Sequence, residues 1–461
     1  MRAHGYGNRV LRLHDTGLGR LADVELRDAG RASVYACGPT VYDLPHIGHG
    51  RMVLVFDVLR RYLAWTGLDV RFVSNITDID DKIINRANAE GRSSSDVAVE
   101  FEEVWYAATD RLGVERPTVD PHATAYVDQM VELVAGLVAG GKAYETSDGV
   151  YLEVDTVPGY GLLARQPLDS LRSGARVDVA EEKRSPLDFA LWKKAKPDEP
   201  TWPSPWGAGR PGWHTECVVM SLDLLGEGFD IHGGGIDLAF PHHENERAQA
   251  VAAGRPFARR WAHNGHVQMG GEKMSKSLGN VRSLTDLLEM VDPRAYRLVV
   301  LQSHYRAPVE VTGATLAQAA GTLSGLDAFA RRAADLPAVA ADGAAVARFR
   351  AAMDDDLDTP RAMAELSGLV RAANTAIDAG DAAGAAPLAA AVRELAAALG
   401  LRLAGAADEI PAEVAILVTR RDAARAERDF AGADALRDRL DELGWVVEDT
   451  AQGTRIHRKD T

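Results

Sequence analysis

The part of the sequence that most constrains the fold is residues 32–72, which contain a strand, a loop, a helix and a second strand. Residues 33–37 and 70–73 are short and mainly apolar, which is typical of buried strands. Between them, residues 52–65 carry apolar side chains at helical spacing. This order forms a βαβ unit, and its loop lies at the carboxyl edge of a parallel sheet. The sequence therefore predicts an α/β fold with a Rossmann-type parallel sheet.

The loop of this unit has features of a nucleotide site. Its sequence from Cys37 to His49 is Cys-Gly-Pro-Thr-Val-Tyr-Asp-Leu-Pro-His-Ile-Gly-His. A helix that starts there offers unpaired amide N–H groups and a positive dipole end to phosphate. His46 and His49 flank Gly48, and the missing side chain at Gly48 allows a ring or a backbone to come close.

Length and charge set the broad class of protein. A chain of 461 residues is too long for one core, so two or more domains are expected. Residues 1–20 contain no apolar leader and no stretch is long enough to span a membrane, so we expect a cytoplasmic protein without a membrane partner. The net charge of −15 opposes indiscriminate binding of nucleic acid. It leaves room for a local basic patch, and the clearest is residues 455–459.

Two cysteines, Cys37 and Cys217, are too few for a disulfide scaffold. They can be small buried apolar residues, which is the ordinary role of a free cysteine. They can also bind metal together with His242 and Glu246, which are four residues apart and share a helical face. Two thiolates, an imidazole and a carboxylate are ligands that zinc accepts in tetrahedral geometry.

Two short motifs suggest chemistry on a phosphate. His46-Ile-Gly-His49 (HIGH) lies in the loop before the first predicted helix, and Lys273-Met-Ser-Lys276-Ser277 (KMSKS) lies in a polar loop. Imidazole and ammonium donors around the α-phosphate of ATP stabilise the charge that builds on its oxygens during attack. The simpler interpretation of the lysines is a solvated surface loop.

These two motifs together resemble those of the class I aminoacyl-tRNA synthetases. Four further segments resemble cysteinyl-tRNA synthetases specifically, and the resemblance covers nearly the whole chain. They begin at Cys37, Asn75, Gly212 and Phe229, and read CGPTVYD, NITDIDDK, GWHTEC and FDIHGGGIDLAFPHHENE.

The resemblance implies a split Rossmann-type catalytic domain with a small insertion, a helical bundle and a small anticodon-binding domain. The expected ranges are 1–141 for the first catalytic half, 142–203 for the insertion, 204–256 for the second half, 257–325 for a stem-contact region with the KMSKS loop, 326–404 for the bundle and 405–461 for the anticodon-binding domain. The expected activity is that of a cysteine–tRNA ligase. Its expected partners are L-cysteine, ATP with Mg²⁺ and tRNA(Cys), and it is expected to act as a monomer.

The resemblance also assigns roles to residues. One zinc per chain is expected on Cys37, Cys217, His242 and Glu246, where the metal would bind the thiolate of the substrate. Because a hydroxyl is a poorer zinc ligand than a thiolate, serine would be rejected without an editing domain. The remaining roles are a cysteine pocket formed by Thr77, Trp213 and His232, ATP binding by His46, Gly48, His49 and Lys276, and catalysis by His46, His49, Lys273 and Lys276.

Two alternatives remain open: an enzyme that transfers the activated cysteine to another acceptor, and a relative without catalytic activity. A cysteine:amino-sugar ligase of mycothiol biosynthesis shares the catalytic half. Chains of that family look truncated after the helical bundle, whereas this chain continues through 405–461. A non-catalytic relative that binds nucleotide or RNA would be expected to have lost some residues of the HIGH and KMSKS motifs.

Two other features also have structural interpretations. Asp80 or Asp81 can be a helix cap, and Trp445 can be core of the last domain rather than a contact to RNA.

Overall fold

The computed structural model describes residues 10–165, 182–197, 199–269, 272–273, 283–404, 412–426, 428–450 and 453–458. The chain divides into two compact units. The first contains Met1–Leu288, Val300–Val311 and Arg350–Pro360, and the second contains Glu289–Val299, Thr312–Phe349 and Arg361–Thr461. Among the described residues, no helix is long and apolar enough to cross a membrane.

The first unit contains the strands of three sheets and a separate hairpin. In chain order they are β1 (Arg12–Asp15), β2 (Arg20–Asp23), β3 (Arg31–Ala36), β4 (Asp69–Val73), β5 (Ala143–Glu145), β6 (Gly149–Leu152), β7 (Phe189–Lys194), β8 (Gly209–Pro211), β9 (Ile231–Gly235), β10 (Arg260–Asn264), β11 (Val267–Met269), β12 (Glu272–Lys273) and β13 (Val309–Glu310). The helices between them are α1 (Ile47–Trp65), α2 (Asp81–Glu90), α3 (Ser94–Arg111), α4 (Val127–Ala139), α5 (Trp213–Leu225), α6 (Glu244–Ala252) and α7 (Leu284–Met290).

The central sheet of this unit is parallel, with the strand order β10–β9–β3–β4. From β3 the chain passes to β4 on one side, and it later returns through β9 on the other side. The carboxyl ends of β3 and β9 therefore form a switch point, where α/β sheets open a crevice for ligands. The predicted Rossmann-type sheet is confirmed.

Helix α1 begins five residues earlier than the pattern of apolar residues predicts. His46 is its N-cap: its ring accepts a hydrogen bond from the amide of His49, and the ring of His49 accepts one from the amide of His46. A Cβ at position 48 would lie 2.9 Å from the His46 ring, so a side chain there would displace that ring. The first signature motif is thus the first turn of the helix, which apolar periodicity alone does not reveal.

The segment predicted as an insertion forms an antiparallel sheet in the order β5–β6–β7–β8. Strands β5 and β6 confirm the hairpin predicted around Ser147-Asp148-Gly149. The fourth strand, β8, lies after residue 203. Its surroundings are rich in proline and glycine, which weaken a strand signal in sequence.

Most of the later helices belong to the second unit. They are α8 (Pro293–Leu301), α9 (Gly313–Arg332), α10 (Gly343–Met353), α11 (Thr359–Asp378), α12 (Ala382–Ala398), α13 (Ala412–Ala426) and α14 (Phe430–Glu442). They are followed by the antiparallel pair β14 (Trp445–Thr450) and β15 (Gly453–Arg458). Trp445 is 4% exposed and packs with Val414, Leu440 and Val447. Its interpretation as core is confirmed.

One local prediction concerns a polar side chain. Asp80 is the N-cap of α2, where its carboxylate accepts a hydrogen bond from the amide of Lys82. The cap interpretation is therefore confirmed for Asp80.

At the opposite end of the central sheet, the carboxylate of Asp230 accepts hydrogen bonds from the amide and the hydroxyl of Ser33, at 2.7 and 2.6 Å, and from the amide of Arg27. Asp230 thus joins β3 to the start of β9.

We predict that Asp230→Ala lowers the free energy of unfolding by about 2–4 kcal/mol, because buried donors on Ser33 and Arg27 lose their acceptor. The measurement is the urea midpoint. The matched control is Asp28→Ala, which removes a nearby carboxylate whose side chain is 52% exposed. Equal midpoints for the two variants would show that Asp230 does not hold the two strands together.

Candidate functional site

The four predicted metal ligands meet at the carboxyl edge of the central sheet. Cys37 directly follows β3, and its amide donates to the carbonyl of Gly233 in β9. Cys217 lies in the second turn of α5. His242 lies in a π-helical turn, Ala239–His243, that leads directly into α6, where Glu246 is the third residue. All four side chains are buried, and their ligand atoms lie within 4.8 Å of one another.

The distances between these atoms suit a tetrahedral ion. Zinc bonds of about 2.3 Å to sulfur and 2.0 Å to nitrogen or oxygen give tetrahedron edges of about 3.3–3.8 Å. The two sulfurs are 3.8 Å apart, and each lies 3.6 Å from one further ligand, Cys37 from Glu246 Oε1 and Cys217 from His242 Nε2. His242 Nε2 and Glu246 Oε1 are 3.1 Å apart. The residues present therefore fit a tetrahedral metal site.

A second possible ligand set shares two of these residues. It combines Cys37 and Glu246 with His232 and His243. Its distances are less regular: His232 Nε2 lies 2.7 Å from Glu246 Oε2, whereas His243 Nε2 lies 4.0 Å from Glu246 Oε1. The first distance is that of a hydrogen bond and the second exceeds a tetrahedral edge. The geometry favours the first set, with His232 and His243 as its neighbours.

Two of the ligands are oriented by further histidines. His232 Nε2 contacts Glu246 Oε2, which leaves Oε1 towards the sulfurs. His242 Nδ1 lies 2.9 Å from His214 Nδ1. Burial lowers the pKa of His242 well below its usual range, and burial with Lys193 nearby lowers the pKa of His214 to about 3. Both rings are therefore neutral, and a proton on His242 Nδ1 leaves Nε2 as the ligand atom.

A chain of polar groups also ends at Cys37. His243 Nε2 lies 3.2 Å from Cys37 Sγ, His243 Nδ1 lies 2.7 Å from His263 Nε2, and His263 Nδ1 lies 2.7 Å from Thr16 Oγ1. If the hydroxyl of Thr16 donates, each neutral ring donates onward through Nε2. Burial, followed by the hydrogen bond with Cys217, raises the pKa of the Cys37 thiol well above its usual range. A thiolate at this position therefore requires a cation beside it.

A cleft of about 420 Å³ opens beside this cluster. Its walls include His46, Gly48, His49, Lys82, Trp213 and His266. Trp213 connects the cleft to the cluster, because its ring stacks on His242 with centroids 4.0 Å apart.

The two signature histidines face each other across Gly48. Their rings stack with centroids 3.6 Å apart. The Nδ1 atom of each ring accepts a backbone amide hydrogen, so the proton of each neutral ring lies on Nε2. Both rings are thus N–H donors at a helix N-terminus, the arrangement that suits an anion.

Of the second signature, only part lies in the described residues. The backbone of Lys273 pairs with Gln268 between β12 and β11. Lys276 lies outside the described residues. The chain becomes described again at Ser283, which forms an antiparallel bridge with His46. The described residues on either side, Lys273 and Ser283, are thus paired with Gln268 and His46 respectively.

The predicted cysteine-pocket residues occupy different positions. Trp213 lines the cleft, whereas Thr77 and His232 are buried behind the cluster. The hydroxyl of Thr77 accepts a hydrogen bond from the amide group of Asn75 at 3.1 Å and donates one to Glu216 Oε2 at 3.0 Å. Asn75 in turn accepts a hydrogen bond from the amide of Gly38, next to Cys37.

Sequence reasoning missed several residues of the site. Lys82 places its ammonium over the rings of Tyr42 and Trp213, at 5.2 and 6.0 Å from their centroids. Lys82 could have been found from the sequence, because it is the last residue of the NITDIDDK segment that starts at Asn75. His214 and His243 stand directly beside residues that were predicted, Trp213 and His242. For His263 and Thr16 no motif was available.

Family comparisons agree with this architecture. Residues 24–321 match the family described as the tRNA synthetases class I (C) catalytic domain, residues 348–404 match the DALR domain, and residues 407–456 match the cysteinyl-tRNA ligase anticodon binding domain. Among solved structures, a methionyl-tRNA synthetase of Mycobacterium tuberculosis with methionyl-adenylate has a TM-score of 0.59 at 15% identity, covering 80% of this chain and 89% of that one. A LeuRS–tRNA–LeuAMS complex of Agrobacterium radiobacter K84 has a TM-score of 0.61 at 12% identity, with coverages of 82% and 84%. These structures share the fold.

Curated relatives match over almost the full length. A cysteine–tRNA ligase of Halorhodospira halophila is 46% identical over 97% of this chain and all of its own. The enzyme of the same name from Alkalilimnicola ehrlichii is 46% identical over 98% of this chain and all of its own. That of Trichlorobacter lovleyi is 43% identical over 96% of this chain and 99% of its own. With the matches to the catalytic and anticodon-binding families, these identities show that the chain belongs to the cysteinyl-tRNA synthetase family of class I.

Proposed function

We propose that the protein is a cysteine–tRNA ligase that activates L-cysteine with ATP and transfers it to the 3′ end of tRNA(Cys). The observation that carries the proposal is the position of the four buried ligands directly beside a cleft that holds the first signature motif. A ligand set that favours sulfur and a donor set that suits phosphate lie next to each other. Both are needed to join cysteine to an adenylate.

The first half-reaction joins the carboxylate of cysteine to the α-phosphorus of ATP, and pyrophosphate leaves. We propose that His46 and His49 donate through Nε2 to the phosphate oxygens, where negative charge grows in the transition state. Gly48 leaves room for the nucleotide. Lys273 and Lys276 are proposed to act on the same phosphates from the KMSKS segment, and Mg²⁺ accompanies ATP.

We propose one zinc per chain, held by Cys37, Cys217, His242 and Glu246. When bound, the ion would supply a soft Lewis acid that prefers a thiolate to a hydroxyl. Trp213 is proposed as a wall of the cysteine pocket. Thr77 and His232 are proposed to support this pocket from behind, since Thr77 holds Glu216 and His232 holds Glu246.

In the second half-reaction a terminal ribose hydroxyl of tRNA attacks the carbonyl carbon of the adenylate, and AMP leaves. We propose that residues 405–461 bind the anticodon, which the family match over residues 407–456 supports. Basic side chains at Arg455, Arg458 and Lys459 are the proposed phosphate contacts. Trp445 is buried and so is not a stacking surface for bases. Cytoplasmic location and a monomeric state remain predictions.

We predict that the purified protein contains one zinc per chain and that Cys217→Ser and His242→Ala each lower zinc affinity by at least tenfold. Both changes remove a proposed ligand. The measurement is metal content after competition with a chelator. The matched variant is His243→Ala, which removes the neighbouring imidazole and should retain one zinc per chain. Greater zinc loss in His243→Ala than in Cys217→Ser would favour the second ligand set.

We further predict cysteine-dependent exchange of label between pyrophosphate and ATP, with no exchange above background when serine replaces cysteine. Discrimination at this step follows from metal preference and requires no hydrolysis of a wrong product. Aminoacylation of a tRNA pool should then be specific for tRNA(Cys). Exchange without aminoacylation, together with cysteine transfer to an amino sugar, would support the sugar ligase instead. The absence of exchange would contradict both enzymes.

A further inference from the structure

Arg51, in the second turn of α1, is 1% exposed and does not line the cleft. Its guanidinium donates to backbone carbonyls instead. One nitrogen, Nη1, donates to the carbonyl of His266 at 2.6 Å. The other, Nη2, donates to the carbonyls of Tyr305, at 3.0 Å, and Ala307. A single side chain thus contacts two backbone segments that lie far apart in sequence.

Both segments lead into the sheet that carries the start of the KMSKS motif. His266 immediately precedes β11, and Ala307 precedes β13 by two residues. Strand β11 pairs with β13 on one side and with β12 on the other. β12 contains Lys273, the first residue of that motif. The guanidinium therefore binds the starts of two of the three strands in this sheet.

The other end of this contact is the helix that begins with the HIGH motif. Arg51 follows His49 by two residues on α1, and His46 is the cap of the same helix. His266 lines the same cleft as these histidines. The fork of Arg51 consequently links the helix that carries these histidines to the backbone that leads into β11, the strand that pairs with Lys273. Because the guanidinium is planar and rigid, lysine cannot reproduce several such bonds.

We propose that Arg51 is a positioning residue for adenylate formation, which holds the HIGH helix and the root of the KMSKS segment in register. The proposal rests on the proposed function. Groups that stabilise a transition state from two sides of a phosphate must be placed accurately, and a displacement of about 1 Å can lower the rate about a hundredfold. Loss of register should therefore lower the turnover of the exchange reaction more than it weakens substrate binding.

The segment from Tyr305 to Ala307, whose carbonyls Arg51 binds, also makes hydrogen bonds to Asp356. Asp356 accepts hydrogen bonds from the hydroxyl of Tyr305 at 2.8 Å and from Nε of Arg306 at 2.8 Å. Asp356→Asn would loosen these contacts without touching α1. This gives a second, milder way to disturb the segment that Arg51 binds.

The test compares Arg51→Lys with Arg60→Lys. Arg60 lies on the same helix and also donates to backbone carbonyls, but those of Glu115 and Arg116. We expect Arg51→Lys to lower kcat for cysteine-dependent ATP–pyrophosphate exchange at least tenfold, with the KM for cysteine and the zinc content within twofold of the wild type. Arg60→Lys should keep kcat within twofold.

Three results would overturn the proposal: an unchanged kcat in Arg51→Lys, an equal fall in Arg60→Lys, or a loss confined to KM. If Arg51→Lys does not fold, the test is kcat for cysteine-dependent exchange in Asp356→Asn. The proposal predicts a lower kcat in this variant, and an unchanged kcat would reject it. Failure of the proposed function is distinguishable, because the wild type would then show no cysteine-dependent exchange.

Discussion

The structure depends most on the close approach of two buried thiols, Cys37 and Cys217, whose sulfurs are 3.8 Å apart beside a fully buried carboxylate. Bringing groups that can carry negative charge this close, away from water, is unfavourable unless a cation joins them. The parallel sheet makes the approach possible, because Cys37 leaves the end of β3 and is hydrogen-bonded to Gly233 of β9. The site is thus a consequence of the strand order.

The backbone next to Cys37 is closely packed against the segment that follows β4. A Cβ at Gly38 would lie 1.6 Å from the carbonyl oxygen of Asn75, so any side chain there would push the two strand ends apart. Asn75 in turn reaches Thr77, and Thr77 reaches Glu216, next to Cys217. A continuous set of hydrogen bonds therefore links Gly38 and Glu216, the sequence neighbours of the two cysteines, to the segment after β4. It explains why residues of the motif that do not face the cleft still belong to the site.

Much of the site could be predicted from the sequence, because its chemistry lies in short motifs with unusual residues. The parallel sheet followed from one βαβ pattern. Residue type made the four ligands candidates, and the family resemblance assigned them to one site. What could not be predicted depends on contacts between distant segments. Arg51 is 215 residues from His266, and nothing in its own surroundings in the sequence indicates that contact. His243 could be noticed only as a neighbour of His242, and Asp230 only once β3 and β9 are seen to be adjacent.

The central claim is that Cys37, Cys217, His242 and Glu246 form one preorganised tetrahedral site. The most direct measurement is X-ray absorption at the zinc edge of the purified protein, which counts the sulfur atoms around the metal. The account predicts two sulfurs at about 2.3 Å and two nitrogen or oxygen atoms at about 2.0 Å. A shell with one sulfur and three lighter atoms would contradict it, and would assign the ion to Cys37, His232, His243 and Glu246 instead.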